Sequence, residues 1–221
     1  MIGVVTSAWG DYGKYLPEWA ESLANQAVRP AQAVIVDAGC TDAEGVARAV
    51  QILNEAGIPA KTGRVEYTTL GAARNAATAL CDAEWVSHLD ADDLFLPNAV
   101  ADIAELTDNH DVISFGCIRD GRPITFPEAT AEMILNRQVC VYSCGAFRKS
   151  LWEQRPWQTL NDWCDSTYWV GLAHLGARFA STGKVGFVYR QHGDSVSHTI
   201  SPADKQFAID QWLSSIEHWQ F

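Results

Sequence analysis

Glu84-Trp85-Val86-Ser87-His88-Leu89-Asp90-Ala91-Asp92-Asp93 runs from an apolar stretch straight into three carboxylates within four positions. Glu84–Leu89 reads as a buried strand, and Pro97 opens a helix that continues to about Leu106. Three carboxylates at a strand end repel one another if left unpaired, and a divalent cation removes that repulsion. Alternate residues of an extended chain point to opposite sides, so Asp90 and Asp92 act together only if the chain turns between them. All-oxygen donors favour magnesium or manganese, with phosphate oxygens completing the shell. The alternative is a solvated acidic turn that caps the following helix.

On the N-terminal side the pattern alternates strand and helix. Ile2–Thr6 is an apolar strand, followed by a Gly/Asp/Tyr loop and a helix from about Leu16 to Ala27. Ala33–Val36 is a second buried strand, ending at Asp37-Ala38-Gly39, and Ala43–Ala56 is a helix stopped by Gly57 and Pro59. A weak strand near Arg64–Tyr67 precedes the alanine-rich helix Gly71–Cys81. This βαβα order predicts an α/β domain, a mainly parallel sheet covered by helices on both faces. In such sheets ligands bind beyond the carboxyl ends of the strands, where Thr6-Ser7, Asp37 and Asp90 to Asp93 converge.

After Asp111 the pattern changes. Val112–Ile118 and Ile124–Phe126 flank Asp120-Gly121 as a hairpin, a small antiparallel element. A helix near Ala129–Asn136, a strand near Val139–Phe147, a helix over Asp162–Leu175 and strand signals in Ala177–Arg190 follow. Ser201-Pro202 caps an amphipathic tail helix with Phe207, Ile209, Trp212, Leu213, Ile216 and Trp219. That face packs against the domain or docks on a membrane surface or partner.

The 221 residues suit one domain, with a ligand-binding half over 1–111, a second half over 112–200 and the tail helix over 201–221. With 48% hydrophobic and 19% charged residues, the chain is neither disordered nor fibrous. The net charge of -11 falls on the first half, where 17 acids face 6 bases; the second half holds 10 of each. Such a chain is ill suited to non-specific nucleic-acid binding, and its acidic half needs a cation to hold a phosphorylated ligand. No apolar run approaches the ~18 residues of a membrane span. The N-terminus lacks the pattern of an export signal, so the expected location is cytoplasmic. The six cysteines form no C-x-x-C pair and read as reduced thiols rather than a zinc site.

Six segments, in order, resemble the family two glycosyltransferases of the GT-A fold. Val4-Val5-Thr6-Ser7 is similar to the family's first strand. Ile35-Val36-Asp37-Ala38-Gly39-Cys40-Thr41-Asp42 resembles its V-D-D-G-S-T-D segment, and Gly71-Ala72-Ala73-Arg74-Asn75 its A-R-N helix start. Leu89-Asp90-Ala91-Asp92-Asp93 through Pro97 is similar to L-D-x-D-D-x-x-x-P. Asp165 through Trp169 resembles the acidic helix D-x-x-x-W. Tyr189-Arg190-Gln191-His192 with Ser195 and Ser197 resembles the late Y-R-x-H-x-x-S-x-S stretch.

The resemblance implies a nucleotide-sugar donor. Thr6, Ser7 and Asp37 would meet the nucleotide, Arg74 the diphosphate or base, and Asp90 the ribose or sugar. Asp92, with Asp93 and His192, would hold Mn2+ or Mg2+ across the two phosphates, while Arg190 would steady the departing diphosphate. Asp93 could instead bind sugar or cap a helix. Asp165 is the candidate base toward the acceptor hydroxyl, with Asp162, three residues earlier, as second choice. One base and no nucleophile imply inversion at the anomeric carbon.

Several positions depart from the family. Ala38 stands where a second aspartate is common; UDP is still favoured over GDP or TDP. Trp9 replaces a small polar residue, and Gly171 stands where arginine is frequent. The absence of membrane helices implies transfer of a single sugar. Acceptor walls are expected from Phe115–Arg122, Val141–Arg148 and Trp152–Trp163, with Arg119, Arg122, Arg148, Lys149 and Arg155 as cations for an anionic acceptor. The acceptor itself is open: a saccharide, lipid-linked sugar, protein or modified nucleic-acid base. A nucleotidyltransferase would carry a Gly-rich basic loop after the first strand, which Ala8 to Lys14 lack. A non-catalytic carbohydrate-binding protein of the same fold is the other alternative.

Overall fold

The computed structural model describes residues 1–136, 138–139, 141–192, 201–203, 206 and 210. The expected tail helix and the Ser195 and Ser197 positions lie almost wholly outside them. In the first half, β1 (Ile2–Gly10) leads to α1 (Leu16–Ala24), β2 (Gln32–Cys40), α2 (Ala43–Glu55) and β3 (Ala60–Arg64). Next come α3 (Leu70–Leu80), β4 (Trp85–His88), β5 (Leu94–Phe95) and α4 (Ala99–Ala104). The second half holds β6 (Val112–Arg119), β7 (Arg122–Ile124), α5 (Ala131–Leu135), β8 (Ala146–Arg148), α6 (Lys149–Gln154), α7 (Asp165–His174) and β9 (Phe179–Tyr189).

Among the described residues the strands form one sheet in the order β3-β2-β1-β4-β8-β6-β9-β5, with β7 paired to β6. β1 to β4 are mutually parallel, while β8 lies antiparallel between β4 and β6. The mainly parallel α/β sheet with an antiparallel addition is the architecture expected from the sequence. Period-2 alternation puts Ile2, Val4 and Ala8 of β1 on one face and Val5 on the other. The first face packs on α1, α2 and α4 through Leu16, Trp19, Leu53 and Ile103. The second packs on α3 and α7 through Leu70, Ala77, Tyr168, Trp169 and Leu172.

Local chemistry fixes the element ends that matter. Asp42 caps α2 by accepting from the Gly45 N–H, and Thr69 caps α3 by accepting from the Ala72 N–H. Asp120 and Gly121 both have positive φ (51° and 70°), the two-residue type I′ geometry that closes the β6–β7 hairpin.

Several boundaries differ from the sequence reading, among them the second hairpin strand, which is Arg122–Ile124 rather than Ile124–Phe126 because Ile118 and Arg119 pair with Pro123 and Arg122. The third strand is Ala60–Arg64, not Arg64–Tyr67, because Ala33 to Asp37 of β2 pair with 60–64. The expected strand Val139–Phe147 shrinks to Ala146–Arg148; Val141 to Ser143 instead form a loop at the ligand end of the sheet. The helix expected from Asp162 begins at Asp165.

Candidate functional site

The carboxyl ends of β1, β4, β6 and β9 and the starts of α3 and α7 surround a cavity of about 390 Å³. Its lining includes Ser7, Trp9, Tyr12, Arg74, Asp90, Asp92, Asp93, Asp162 and Asp165, drawn from positions up to 158 residues apart in sequence. The acidic segment turns as its spacing requires: the Asp93 N–H bonds to the Asp90 carbonyl at 3.0 Å. Asp90 and Asp92 thereby reach one cavity.

Arg74 is the buried centre of the site, 1% exposed. Its Nη2 donates to Asp90 Oδ1 at 2.9 Å, and its Nη1 donates to Asp165 Oδ1 and to Cys164 Sγ. Its guanidinium lies 5.0 Å from the Trp157 ring centre, a cation–π contact. Trp157 in turn stacks on Tyr168 at 3.7 Å. Ser143 donates to Asp90 Oδ2 at 2.8 Å. Burial pushes the Asp90 carboxyl up, but the Arg74 charge and the hydrogen bonds from Arg74 and Ser143 outweigh it and hold it below the usual carboxylate range. His88 beneath is fully buried, and burial followed by the Arg74 charge lowers its pKa to about 3, so it stays neutral.

Asp92 is raised by burial and by the Asp90 charge, which the His192 hydrogen bond only partly opposes. His192 Nε2 lies 2.8 Å from Asp92 Oδ2, so the late histidine and the acidic tip do meet. Asp93 behaves differently. Its Oδ1 accepts from the Arg190 N–H at 2.9 Å, and the side chain is 1% exposed. Burial and its two acidic neighbours push its pKa well above the usual carboxylate range, and its bond to Arg190 ties the end of β9 to the acidic tip. Among the described residues no three His, Cys, Asp or Glu side chains gather closely enough to hold a metal. Of the expected trio, Asp92 and His192 are in direct contact; Asp93 lines the same cavity with Oδ1 held by the backbone and Oδ2 without a hydrogen-bond partner among the described residues.

Other expected residues separate as well. Asp37 Oδ1 accepts from the Gly39 and Cys40 N–H groups, a turn-forming arrangement, and Asp37 does not line the cavity. Ser7 lines it and Thr6 does not; both hydroxyls are buried without a hydrogen-bond partner among the described residues. The Arg190 guanidinium pairs with Glu18 and covers the Tyr15 ring, away from the cavity lining. Asp162 Oδ1 accepts from Tyr67 Oη (2.9 Å) and from the Leu70 N–H (2.7 Å), so it secures the start of α3. The Asp165 carboxylate remains 42% exposed, with one oxygen held by Arg74.

Some features carried no sequence signal. Ser143 lies in a stretch that read as strand, and nothing local marked Tyr67 as a partner of Asp162. Trp9 stands out as a departure from the family pattern, and it packs between Tyr12 (ring centres 4.8 Å apart) and Tyr67 (4.9 Å). Tyr15 stacks on His192 at 5.6 Å. Gly71 is explained by close approach: a Cβ there would sit 1.9 Å from the Gln158 carbonyl oxygen. At the departure Gly171, a Cβ would meet the Arg155 guanidinium at 2.0 Å, so that arginine fills the space.

No curated protein sequence matches the chain. Among solved structures, TarS from S. aureus in complex with UDP-GlcNAc superposes with a TM-score of 0.78 at 21% identity, over 96% of this chain and 65% of that one. The mannosyltransferase PcManGT from Pyrobaculum calidifontis, in complex with GDP-Man and Mn2+, gives 0.67 at 19% identity, over 85% and 56%. The chain spans less than two thirds of either structure, and the likeness is one of fold, the GT-A fold. Residues 4–165 match the profile of glycosyl transferase family 2, most of the chain. The protein belongs to glycosyl transferase family 2.

Proposed function

We propose that the chain moves a single sugar from a nucleotide-diphosphate sugar, with UDP the favoured nucleotide, to an acceptor hydroxyl, using a divalent cation and inverting the anomeric carbon. One observation carries this reading. Asp92 and His192, 100 residues apart, meet at the acidic strand tip beside a cavity whose lining also holds Asp165. The UDP-GlcNAc bound to TarS and the GDP-Man and Mn2+ bound to PcManGT support a nucleotide-sugar donor and a metal.

The residues present fit such a cation. Mg2+ and Mn2+ are typically held by one or two protein ligands plus substrate phosphates. Asp92 and His192 supply a carboxylate and an imidazole, and the Asp92 carboxyl is raised by burial and by Asp90, a strain that a cation relieves. When bound, the cation would stabilise negative charge developing on the departing diphosphate. Asp90 is held ionised by Arg74 and oriented by Ser143, which suits it to accept a hydroxyl of ribose or sugar. Asp165 has Oδ1 fixed by Arg74, leaving Oδ2 to take the acceptor proton. Asp162, whose Oδ1 is engaged by the Tyr67 hydroxyl and the Leu70 N–H, remains the second candidate for the base. Trp9, Tyr12 and Ser7 offer an aromatic and hydroxyl wall for the nucleoside. A single displacement with one base inverts configuration.

Thermal unfolding with UDP, GDP, TDP and CDP, each with and without Mn2+, tests the donor. Proton NMR of the sugar released or transferred from the matching nucleotide sugar tests the stereochemistry. Stabilisation by UDP only in the presence of Mn2+, and a β-configured first product from an α-linked donor, are expected. Metal-independent stabilisation overturns the cation, and an α-configured first product overturns inversion.

A further inference from the structure

The cavity lining contains two arginines with opposite situations. Arg74 is buried and saturated by Asp90, Asp165 and Cys164. Arg119, at the end of β6, is exposed, and neither its side chain nor that of Arg122 has a hydrogen-bonded or ion-paired partner among the described residues. The hairpin register pairs Arg119 directly with Arg122. Side chains opposite each other across a ladder share a face with Cβ atoms about 5 Å apart, and like charges so placed repel. Asp120, in the turn between them, forms no ion pair with either arginine among the described residues; its carboxylate oxygens lie 3.0 and 3.1 Å from the side-chain amide of Gln191 when the amide nitrogen is turned toward them. Two arginine side chains therefore leave one face of the hairpin end, set by the type I′ turn, and Arg119 of the pair lines a cavity that also holds several carboxylates.

Register also locates the pair relative to the chemistry. Arg119 faces Tyr189, and Val188 faces Leu94, so β9 alone separates Arg119 from the segment leaving Asp93. Two strand spacings are about 10 Å. Arg119 thus stands about two strand spacings from the segment leaving Asp93, in a cavity lined also by Tyr142, from the expected acceptor wall 141–148, and by Tyr189.

We propose that Arg119 and Arg122 form an anion clamp that selects an acceptor carrying a phosphate or carboxylate. The proposal rests on the glycosyltransferase reading above. Paired guanidinium forks bind such oxygens bidentately, and an anion between them removes their mutual repulsion. The chemistry could instead be met by the donor diphosphate, and the test separates the two.

The intact chain is titrated with inorganic phosphate by calorimetry, both nucleotide-free and saturated with UDP and Mg2+. The same titrations follow on the Arg119→Gln/Arg122→Gln double variant and on Arg119→Lys/Arg122→Lys. Both residues are exposed strand ends, and circular dichroism checks that the variants fold. The clamp predicts phosphate binding to wild type in both states, at least tenfold weaker in the glutamine variant and partly restored by lysine, with UDP affinity within twofold throughout. A glutamine variant that loses UDP affinity assigns the arginines to the donor and overturns the proposal. Phosphate binding that is absent from wild type, or unchanged in the variant, overturns it as well. Failure of wild type to bind UDP with Mg2+ contradicts the donor reading instead, and the nucleotide-free titration still decides the clamp.

Discussion

Gly71→Ala is a substitution that helix chemistry alone would favour, because alanine exceeds glycine by up to about 1 kcal/mol in a helix. The structure predicts the opposite sign. The new Cβ would lie 1.9 Å from the Gln158 carbonyl oxygen, whereas ordinary contact begins near 3.4 Å, so backbone must shift by about 1.5 Å. The segment that must move is held on α3 by Asn75, which bonds both Trp157 backbone groups at 2.9 Å, and by Asp162, 2.7 Å from the Leu70 N–H. Overpacking of this kind costs about 1–3 kcal/mol, and each strained hydrogen bond adds about 1 kcal/mol. With the three bonds strained and the alanine gain subtracted, a net loss of roughly 3–5 kcal/mol remains. For a chain of this size that lowers Tm by roughly 6–20 °C. Scanning calorimetry of wild type and Gly71→Ala reads the difference directly. A variant as stable as wild type, or more so, would show that the 156–163 segment does not press on the start of α3, and the placement of Asp162 and Asp165 relative to Arg74 would fall with it.

Arg74→Met leaves Asp90 and Asp165 without their shared cation, and breaking a buried pair of this kind is expected to cost about 3 kcal/mol in urea unfolding; a loss below 1 kcal/mol would contradict the bridging role. Asp165→Asn should keep UDP affinity within twofold while lowering transfer at least ~100-fold; retained transfer would move the base elsewhere. Asp111 accepts hydrogen bonds from Arg178, which with Arg148 outweigh burial and lower its pKa to about 2. Because the folded-state value lies below the unfolded one, its contribution is present above about pH 4 and lost as pH falls toward 2. The stability advantage of wild type over Asp111→Asn should therefore shrink between pH 5 and pH 2.5 in urea titrations, and a constant difference would refute that assignment.

Much of the fold was legible because local signals agreed. The Asp120-Gly121 turn between apolar runs marked the hairpin, and the run ending at Asp90 marked the strand tip. The third strand was misplaced because Arg64 to Tyr67 alternates like a strand, whereas edge pairing with β2 selects Ala60 to Arg64. Residue types in the site were legible, but their partners were not. Asp162 and Asp165 carry the same local signature three residues apart, yet one binds the start of α3 and the other binds Arg74. Those partners are 92 and 91 residues away, beyond any periodicity argument. Likewise Arg74 and Arg190 were both expected at the diphosphate. Burial between two carboxylates commits the first, and Glu18 with Tyr15 commits the second.

The proposed transfer depends on Asp92 joining a cation to a nucleotide. Calorimetric titration of UDP into wild type and Asp92→Ala, each with and without Mn2+, tests this most directly. The prediction is UDP binding by wild type that strengthens at least tenfold with Mn2+, and no Mn2+ enhancement in the folded Asp92→Ala variant. Equal enhancement in both proteins would contradict it.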